Sequence, residues 1–154
     1  MTATAQSDLV TALLDEHRAL ESRMELLQGD TGGDREKMMV DLLTETHHYG
    51  RTVQDHLDPL VRRYLPDGAA RADHVLVGHI EVARVVAELR RHRPSDAMFD
   101  DLLGRLISQL RNHLAEQEHE LLPRLREHVP ADVLRQRGML AARGGRDPST
   151  APLG

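Results

Sequence analysis

The sequence predicts an all-α protein, an antiparallel up-down-up-down four-helix bundle with a short additional helix near the C-terminus. Apolar residues recur along four long segments at the spacing of amphipathic helices, and no segment shows the alternation of a β-strand. The connections between these segments are short, which favours antiparallel neighbours. Only three of the 154 residues are aromatic, namely Tyr49, Tyr64 and Phe99. The core must therefore be aliphatic, as suits helices packed on helices.

The first two helices are separated by a glycine-rich loop. The first is predicted from Ser7 to about Gln28, with Ser7 as its N-cap. Residues 29–34, with three glycines and two aspartates, form the loop. The second helix is predicted over Arg35–Tyr64, with a kink at Pro59 because proline interrupts helical hydrogen bonding.

The remaining helices follow the same logic. A third helix is predicted from about Ala70 to His92, and a fourth from about Asp96 to His128 with a kink or end near Pro123. A short helix follows Pro130 and runs to about Ala142. The expected organisation is one bundle domain over residues 1–143 and a disordered tail rich in small residues over 144–154.

An internal repeat joins the two halves of the chain. Pro59 and Pro66 are seven residues apart, and so are Pro123 and Pro130, with an arginine three residues after the first proline in both cases. This spacing predicts two copies of one helical hairpin. The alternative is coincidence, because proline commonly ends helices.

Composition excludes several classes of protein. The chain has no cysteine, which rules out disulfides, thiolate zinc sites and a cysteine nucleophile. Its net charge of -5 argues against a nucleic-acid partner. No apolar run is long enough to predict a membrane span, and residues 1–8 do not resemble a signal peptide. We therefore expect a cytoplasmic protein with neither a membrane nor a nucleic acid as partner.

Histidine is the residue type that points to a function. Of the ten histidines, one on each predicted helix falls at about the same height, ~15 Å from the same end of the bundle at 1.5 Å per residue. These are His17, His48, His79 and His113. All but His48 clearly lie on an apolar helix face. Buried imidazoles grouped at one level need hydrogen-bond partners or a metal ion.

A carboxylate accompanies this layer. Glu118 follows His113 by five residues, and its long side chain could reach a second metal ion beside the first. Imidazole together with carboxylate favours iron, with zinc or manganese as alternatives.

At these residues the chain resembles the hemerythrin family, in particular the hemerythrin-like HHE cation-binding domains. The resemblance covers Leu9–Val129 and is carried by three motifs: Asp15-Glu16-His17-Arg18, Gly78-His79-Ile80-Glu81, and His113 to Glu118 followed by Leu121-Leu122-Pro123. It implies an antiparallel four-helix bundle that holds non-haem iron, with His17, His79, His113 and Glu118 as ligands.

The second helix departs from the family pattern. Aligning Pro59 with Pro123 places Tyr49 opposite His113, Val53 opposite Gln117 and Gln54 opposite Glu118, so the bridging carboxylate of this helix is missing. The fourth histidine position is then taken by His48 or by Tyr49, since tyrosine can also bind ferric iron. Weaker candidates for metal ligands are His74 and Gln54. This set would serve one metal ion more easily than two.

Two functional hypotheses follow. The first is a non-haem iron protein that binds or senses dioxygen, nitric oxide, peroxide or iron itself. A binding or sensing role is favoured over an enzymatic one, and the choice stays open at this point. The second is a metal-free bundle that acts as an interaction or regulatory module. A phosphotransfer domain is disfavoured, because His113 lies on an inward face with no lysine near it.

Overall fold

A computed structural model of the chain describes residues 7–29 and 34–146. These ranges are almost entirely helical and contain no β-strand, which confirms the all-α prediction. The helices are α1 (Leu9–Gly29), α2 (Arg35–Thr52), α3 (Asp58–Tyr64), α4 (Gly68–Leu89), α5 (Ala97–Glu116), α6 (Leu122–His128) and α7 (Ala131–Arg146). None of the described helices is long and apolar enough to cross a membrane.

The helices assemble into a four-rod bundle with one additional helix. A π-helical turn at Val53–Leu57 joins α2 to α3, and a second at Gln117–Leu121 joins α5 to α6, so each pair forms one long rod. The rods α1 and α2 lie against each other, as do α4 and α5, and α7 packs on α1. The predicted four-helix architecture with a short C-terminal helix is therefore present.

Both π-helical turns have the same cause. Pro59 and Pro123 each stand in the first turn of the helix that follows, and a proline ring lacks the N–H and clashes with the carbonyl four residues earlier. The backbone widens instead: the Asp58 N–H donates to the carbonyl of Val53, five residues back. The Leu122 N–H donates to Gln117 in the same way. The two turns share one sequence offset, which supports the predicted internal repeat.

The core is aliphatic, as the scarcity of aromatic residues predicted. Its most deeply buried side chains include Leu9, Leu13, Leu20, Met24, Leu42, Leu57, Leu89, Leu106, Leu110 and Leu125. Each fully buried leucine contributes about 1.5–3 kcal/mol relative to an exposed one. Two aromatic rings are buried in the core as well, those of Phe99 and Tyr49. The Tyr49 hydroxyl brings a polar group into this core.

Several element boundaries differ from those predicted. The cap of α1 is Asp8 rather than Ser7, because the Asp8 carboxylate accepts a hydrogen bond from the Thr11 N–H at 2.9 Å. Asp96 caps α5 by accepting from the Met98 N–H. The last helix runs to Arg146, so the tail predicted from residue 144 begins within it. The rest of the predicted tail, 147–154, lies outside the described residues.

Candidate functional site

A polar cluster lies in the middle of the apolar bundle. His17 of α1, Tyr49 of α2 and Gln117 of the second π-helical turn are buried. His79 of α4 and His113 of α5 lie beside them and are partly buried. Every rod of the bundle therefore contributes a side chain at one level. The position of each residue along its helix sets this height.

A directed chain of hydrogen bonds connects four of these side chains. The Gln117 amide nitrogen, which can only donate, lies 3.0 Å from His113 Nε2. The Tyr49 hydroxyl donates its proton to Gln117 Oε1. The same hydroxyl lies 2.9 Å from His17 Nε2, so its oxygen must accept the N–H of His17. In the neutral tautomer that results, the proton of His17 is on Nε2 and the lone pair is on Nδ1.

That lone pair faces a carboxylate. His17 Nδ1 lies 3.5 Å from Glu118 Oε1 and has no hydrogen-bond partner. Two atoms that both present lone pairs at this separation repel each other unless a proton or a cation lies between them. At this end of the cluster, the Nδ1 atom of His17 lacks a hydrogen-bond partner.

The aromatic rings pack against one another on the other side of Tyr49. The ring of His79 stacks on Tyr49 with centroids 5.8 Å apart and planes at 19°. The rings of His79 and His113 meet edge to face at 4.7 Å. His79 Nε2 is buried and, within the described part of the chain, has no hydrogen-bond partner. Buried polar atoms without partners are uncommon, and an ion or a water molecule is the usual explanation.

Burial keeps the cluster uncharged at neutral pH. It lowers the pKa of the His17 and His79 imidazoles, and it lowers the pKa of His113 to about 4 together with repulsion from the neighbouring histidines. Burial also raises the pKa of Tyr49 well above its ordinary value. Neutral imidazole is the form of histidine that binds metal ions.

Two glycines lie beside the imidazoles, and only one of them is required there. A Cβ atom on Gly50 would lie 3.5 Å from His79 Nδ1, an ordinary contact distance. A Cβ atom on Gly78 would lie 2.6 Å from His113 Nδ1, which is too close. Gly78 therefore allows the ring of His113 to pack directly against α4.

Replacing Gly78 by alanine is expected to destabilise the protein by about 1–2 kcal/mol, because the new methyl group displaces the His113 ring. Gly104→Ala is the matched control, since its Cβ meets nothing within 4 Å. That change is expected to stabilise by about 0.5–1 kcal/mol, the usual gain in a helix interior. Urea denaturation measures both. Equal effects of the two substitutions would contradict the role of Gly78.

Three surface cavities reach the cluster. One of about 360 Å³ extends past Arg71 and His74 to His113 and Gln117. A second, of about 390 Å³, is a largely apolar groove between α2 and α4 whose lining includes His79. A third, of about 200 Å³, lies between α4 and α5 beside His113. Small molecules in solvent can therefore approach the imidazoles from more than one side.

The structure separates the predicted site residues into two groups. His17, Tyr49, His79 and His113 meet in the cluster, and Glu118 lies at its edge. The prediction that His48 joins the layer is wrong: its side chain is 41% exposed and lies 2.9 Å from Glu16 Oε1. His48 precedes Tyr49 by one residue and so projects about 100° away around the helix.

The two weaker candidates do not join the cluster either. His74 is 67% exposed and pairs with Glu116 at 2.6 Å. Gln54 is exposed and borders the groove between α2 and α4. Gln117, in contrast, is part of the hydrogen-bond chain, although the sequence alone indicated it only as the residue aligned with Val53. Its spacing of four residues from His113 was the available signal.

The arrangement does not fit a two-metal centre. Among residues 7–29 and 34–146, no three histidine, aspartate or glutamate side chains converge as a metal-binding group. Tyr49, Val53 and Gln117 are neutral where the family resemblance calls for imidazole and carboxylate ligands. The chemistry at His17 and Glu118, an unprotonated nitrogen facing a carboxylate oxygen, does fit a single cation.

Comparison with known proteins supports the fold. Neither family models nor curated proteins match the chain. Among solved structures, it is similar to the crystal structure of a hemerythrin HHE cation binding domain-containing protein from Mycobacterium kansasii. The match has a TM-score of 0.78 and 18% sequence identity, and it covers 89% of this chain and 84% of the other. The chain is therefore, in its fold, a hemerythrin-like four-helix bundle.

Proposed function

We propose that the chain binds one metal cation at the His17–Glu118 end of the polar cluster. The observation that supports this is the 3.5 Å separation between His17 Nδ1 and Glu118 Oε1, with no proton available from the neutral histidine. Nitrogen and oxygen ligands at about 2.1 Å from one ion lie about 3.4 Å apart at a tetrahedral angle. The imidazole and carboxylate donors favour iron.

The surroundings of His17 support the same assignment. A histidine that binds a metal ion usually donates its other N–H to a neighbouring group, which holds the ring in place. Here the Tyr49 hydroxyl accepts the Nε2–H at 2.9 Å, and Gln117 in turn holds Tyr49. The similar protein from Mycobacterium kansasii carries the description "cation binding" in its name.

Each side chain then has a defined role. His17 and Glu118 hold the ion, Tyr49 and Gln117 orient His17, and His113 anchors the far end of the hydrogen-bond chain. Ferrous iron there would supply open coordination positions for dioxygen, nitric oxide or peroxide. In this proposal the protein binds or senses such a small ligand, or iron itself, in the cytoplasm and performs no catalysis.

Anaerobic loading with ferrous iron, followed by metal analysis of the desalted protein, tests the proposal. We expect close to one iron per chain, and we expect His17→Gln and Glu118→Gln to remove it. His47→Gln is the matched control, because His47 is exposed and lies outside the hydrogen-bond chain. A native chain that retains only traces of iron, or iron retained equally by His17→Gln, would overturn it.

A metal-free bundle is the second candidate function, and one observation favours it. Tyr49, Gln117 and His113 satisfy one another's hydrogen bonds without any metal ion. As an interaction or regulatory module, the protein would show the same melting temperature with and without a chelator, whereas a bound metal stabilises the fold by mass action.

A further inference from the structure

Helix α4 carries large apolar residues on the side that faces away from the bundle as well as on the side that faces the core. Val82, Val85 and Leu89 face the core and are buried. On the outer side, Leu76 is 39%, Val77 53% and Ile80 44% exposed. Three large exposed apolar residues within five positions therefore indicate a surface that another chain covers.

The charges beside these residues identify the partner. Asp73, Val77, Ile80 and Arg84 follow one another at spacings of four, three and four, so they share one exposed stripe of α4. If two copies of α4 pack antiparallel about a two-fold axis midway between residues 78 and 79, Val77 of each copy faces Ile80 of the other. Asp73 of each copy then faces Arg84 of the other.

The charges of the two stripes are complementary only when the two α4 helices run antiparallel. In a parallel arrangement, Asp73 would face Asp73 and Arg84 would face Arg84, and both pairs would repel. Towards the ends of the antiparallel stripe, Ala70 faces Ala87, and these small side chains let the two helices approach closely. Asp73 also pairs with Arg62 of its own chain at 2.8 Å, through Oδ1. Its second carboxylate oxygen has no hydrogen bond in the described part of the chain.

We propose that the outer face of α4 is the interface of a two-fold symmetric homodimer, with a second copy of this chain as the occupant. A two-fold interface uses the same patch on both subunits, as this stripe requires. The 22 residues of α4 span ~33 Å at 1.5 Å per residue. A face of this length buries about 1,000 Å² in total, which is near the lower limit for a specific interface. Interfaces of this size are typical of weak, transient association, so we expect a concentration-dependent dimer.

The adjacent groove gives the dimer a consequence for the site. One edge of the stripe also lines the groove between α2 and α4. The residues at this edge are Leu76, Ile80, Ala83 and Ala87. A second copy packed on α4 covers this groove, whose lining includes His79. Dimerisation thus closes one of the approaches to the polar cluster. This inference does not depend on metal binding.

Sedimentation velocity of the full chain over a concentration series tests the proposal with a charge-swap design. We expect a monomer–dimer equilibrium that Arg84→Asp and Asp73→Arg each weaken at least tenfold. We expect the double substitution Asp73→Arg with Arg84→Asp to restore it, because the swapped charges again face each other. Rescue of this kind requires residues 73 and 84 to meet between two copies.

Matched controls separate this effect from changes in net charge or folding. Arg105→Asp makes the same charge change at an exposed position of α5 and should leave association unchanged. Arg62→Gln removes the intrachain pair of Asp73 and should also leave it unchanged. A chain that stays monomeric at several hundred micromolar, or a dimer that the double substitution does not restore, would overturn the proposal. A dimer insensitive to Val77→Asp would do the same, because it would use another surface.

Discussion

Protonation of His113 between pH 7 and pH 4 is expected to lower the free energy of unfolding of the metal-free protein by about 3 kcal/mol. His113 has a pKa of about 4 in the folded chain, against an ordinary value of 6.5. Between these values the unfolded chain binds a proton that the folded chain excludes, so stability falls with pH. At 1.36 kcal/mol per pKa unit, His113 alone contributes about 3 kcal/mol. His17 and His79, whose pKa values burial also lowers, add to the loss.

One buried carboxyl group opposes this trend. Burial raises the pKa of Glu16 to about 7 from an ordinary value of 4.5. The folded chain therefore binds a proton that the unfolded chain releases over this interval, and Glu16 gains stability as the pH falls. At 1.36 kcal/mol per pKa unit, Glu16 offsets about as much as His113 removes, about 3 kcal/mol. The net loss is therefore the part that His17 and His79 add.

Urea denaturation at a series of pH values with chelator present measures the difference. His113→Gln is expected to flatten the loss between pH 6.5 and pH 4, and Glu16→Gln is expected to steepen it. His128→Gln is the control, because His128 lies at the exposed end of α6. If His113→Gln and His128→Gln gave the same pH profile, the assignment to His113 would be wrong.

The second large effect is expected for Tyr49→Phe, a loss of about 2–5 kcal/mol. Removing the hydroxyl leaves the His17 N–H and the Gln117 carbonyl oxygen buried without partners. Each unsatisfied group costs about 1–3 kcal/mol. Chemical denaturation of the metal-free protein measures the loss at one pH.

Tyr64→Phe provides the matched control for this substitution. Tyr64 is half-buried at the end of α3, and its hydroxyl has no hydrogen bond in the described part of the chain. The same chemical change there should shift stability by no more than about 0.5 kcal/mol. Adding Gln117→Leu to Tyr49→Phe should cost less than the sum of the two single changes, because the two side chains share one bond. Additive losses would show that the hydroxyl does not hold Gln117.

Much of the fold could be predicted because it depends on local patterns. The recurrence of leucines at helical spacing defines the buried face of each helix, and short loops require antiparallel neighbours. Pro59 and Pro123 marked the places where both long rods change their hydrogen bonding. Each proline produces a π-helical turn there. The spacing of the prolines does not predict this turn, because its form depends on how the backbone avoids the clash with the proline ring.

The candidate site could be predicted less completely. His17, His79 and His113 were placed by their height and face, which periodicity provides. The choice between His48 and Tyr49 was not accessible in this way, because adjacent residues differ by only about 100° around a helix. The packing of α2 against α1 decides it: the half-exposed His48 pairs with the mostly buried Glu16, and Tyr49 fills the core.

The sequence by itself determined the helices, their order and the level at which the imidazoles gather, since these follow from periods along one chain. Only the tertiary structure decided which donors meet. Gln117 and Tyr49 bond to each other across the bundle from positions 68 residues apart. Hydrogen-bond direction along that chain then leaves His17 Nδ1 facing Glu118. Such contacts depend on distances between helices, which the pattern within any one helix does not contain.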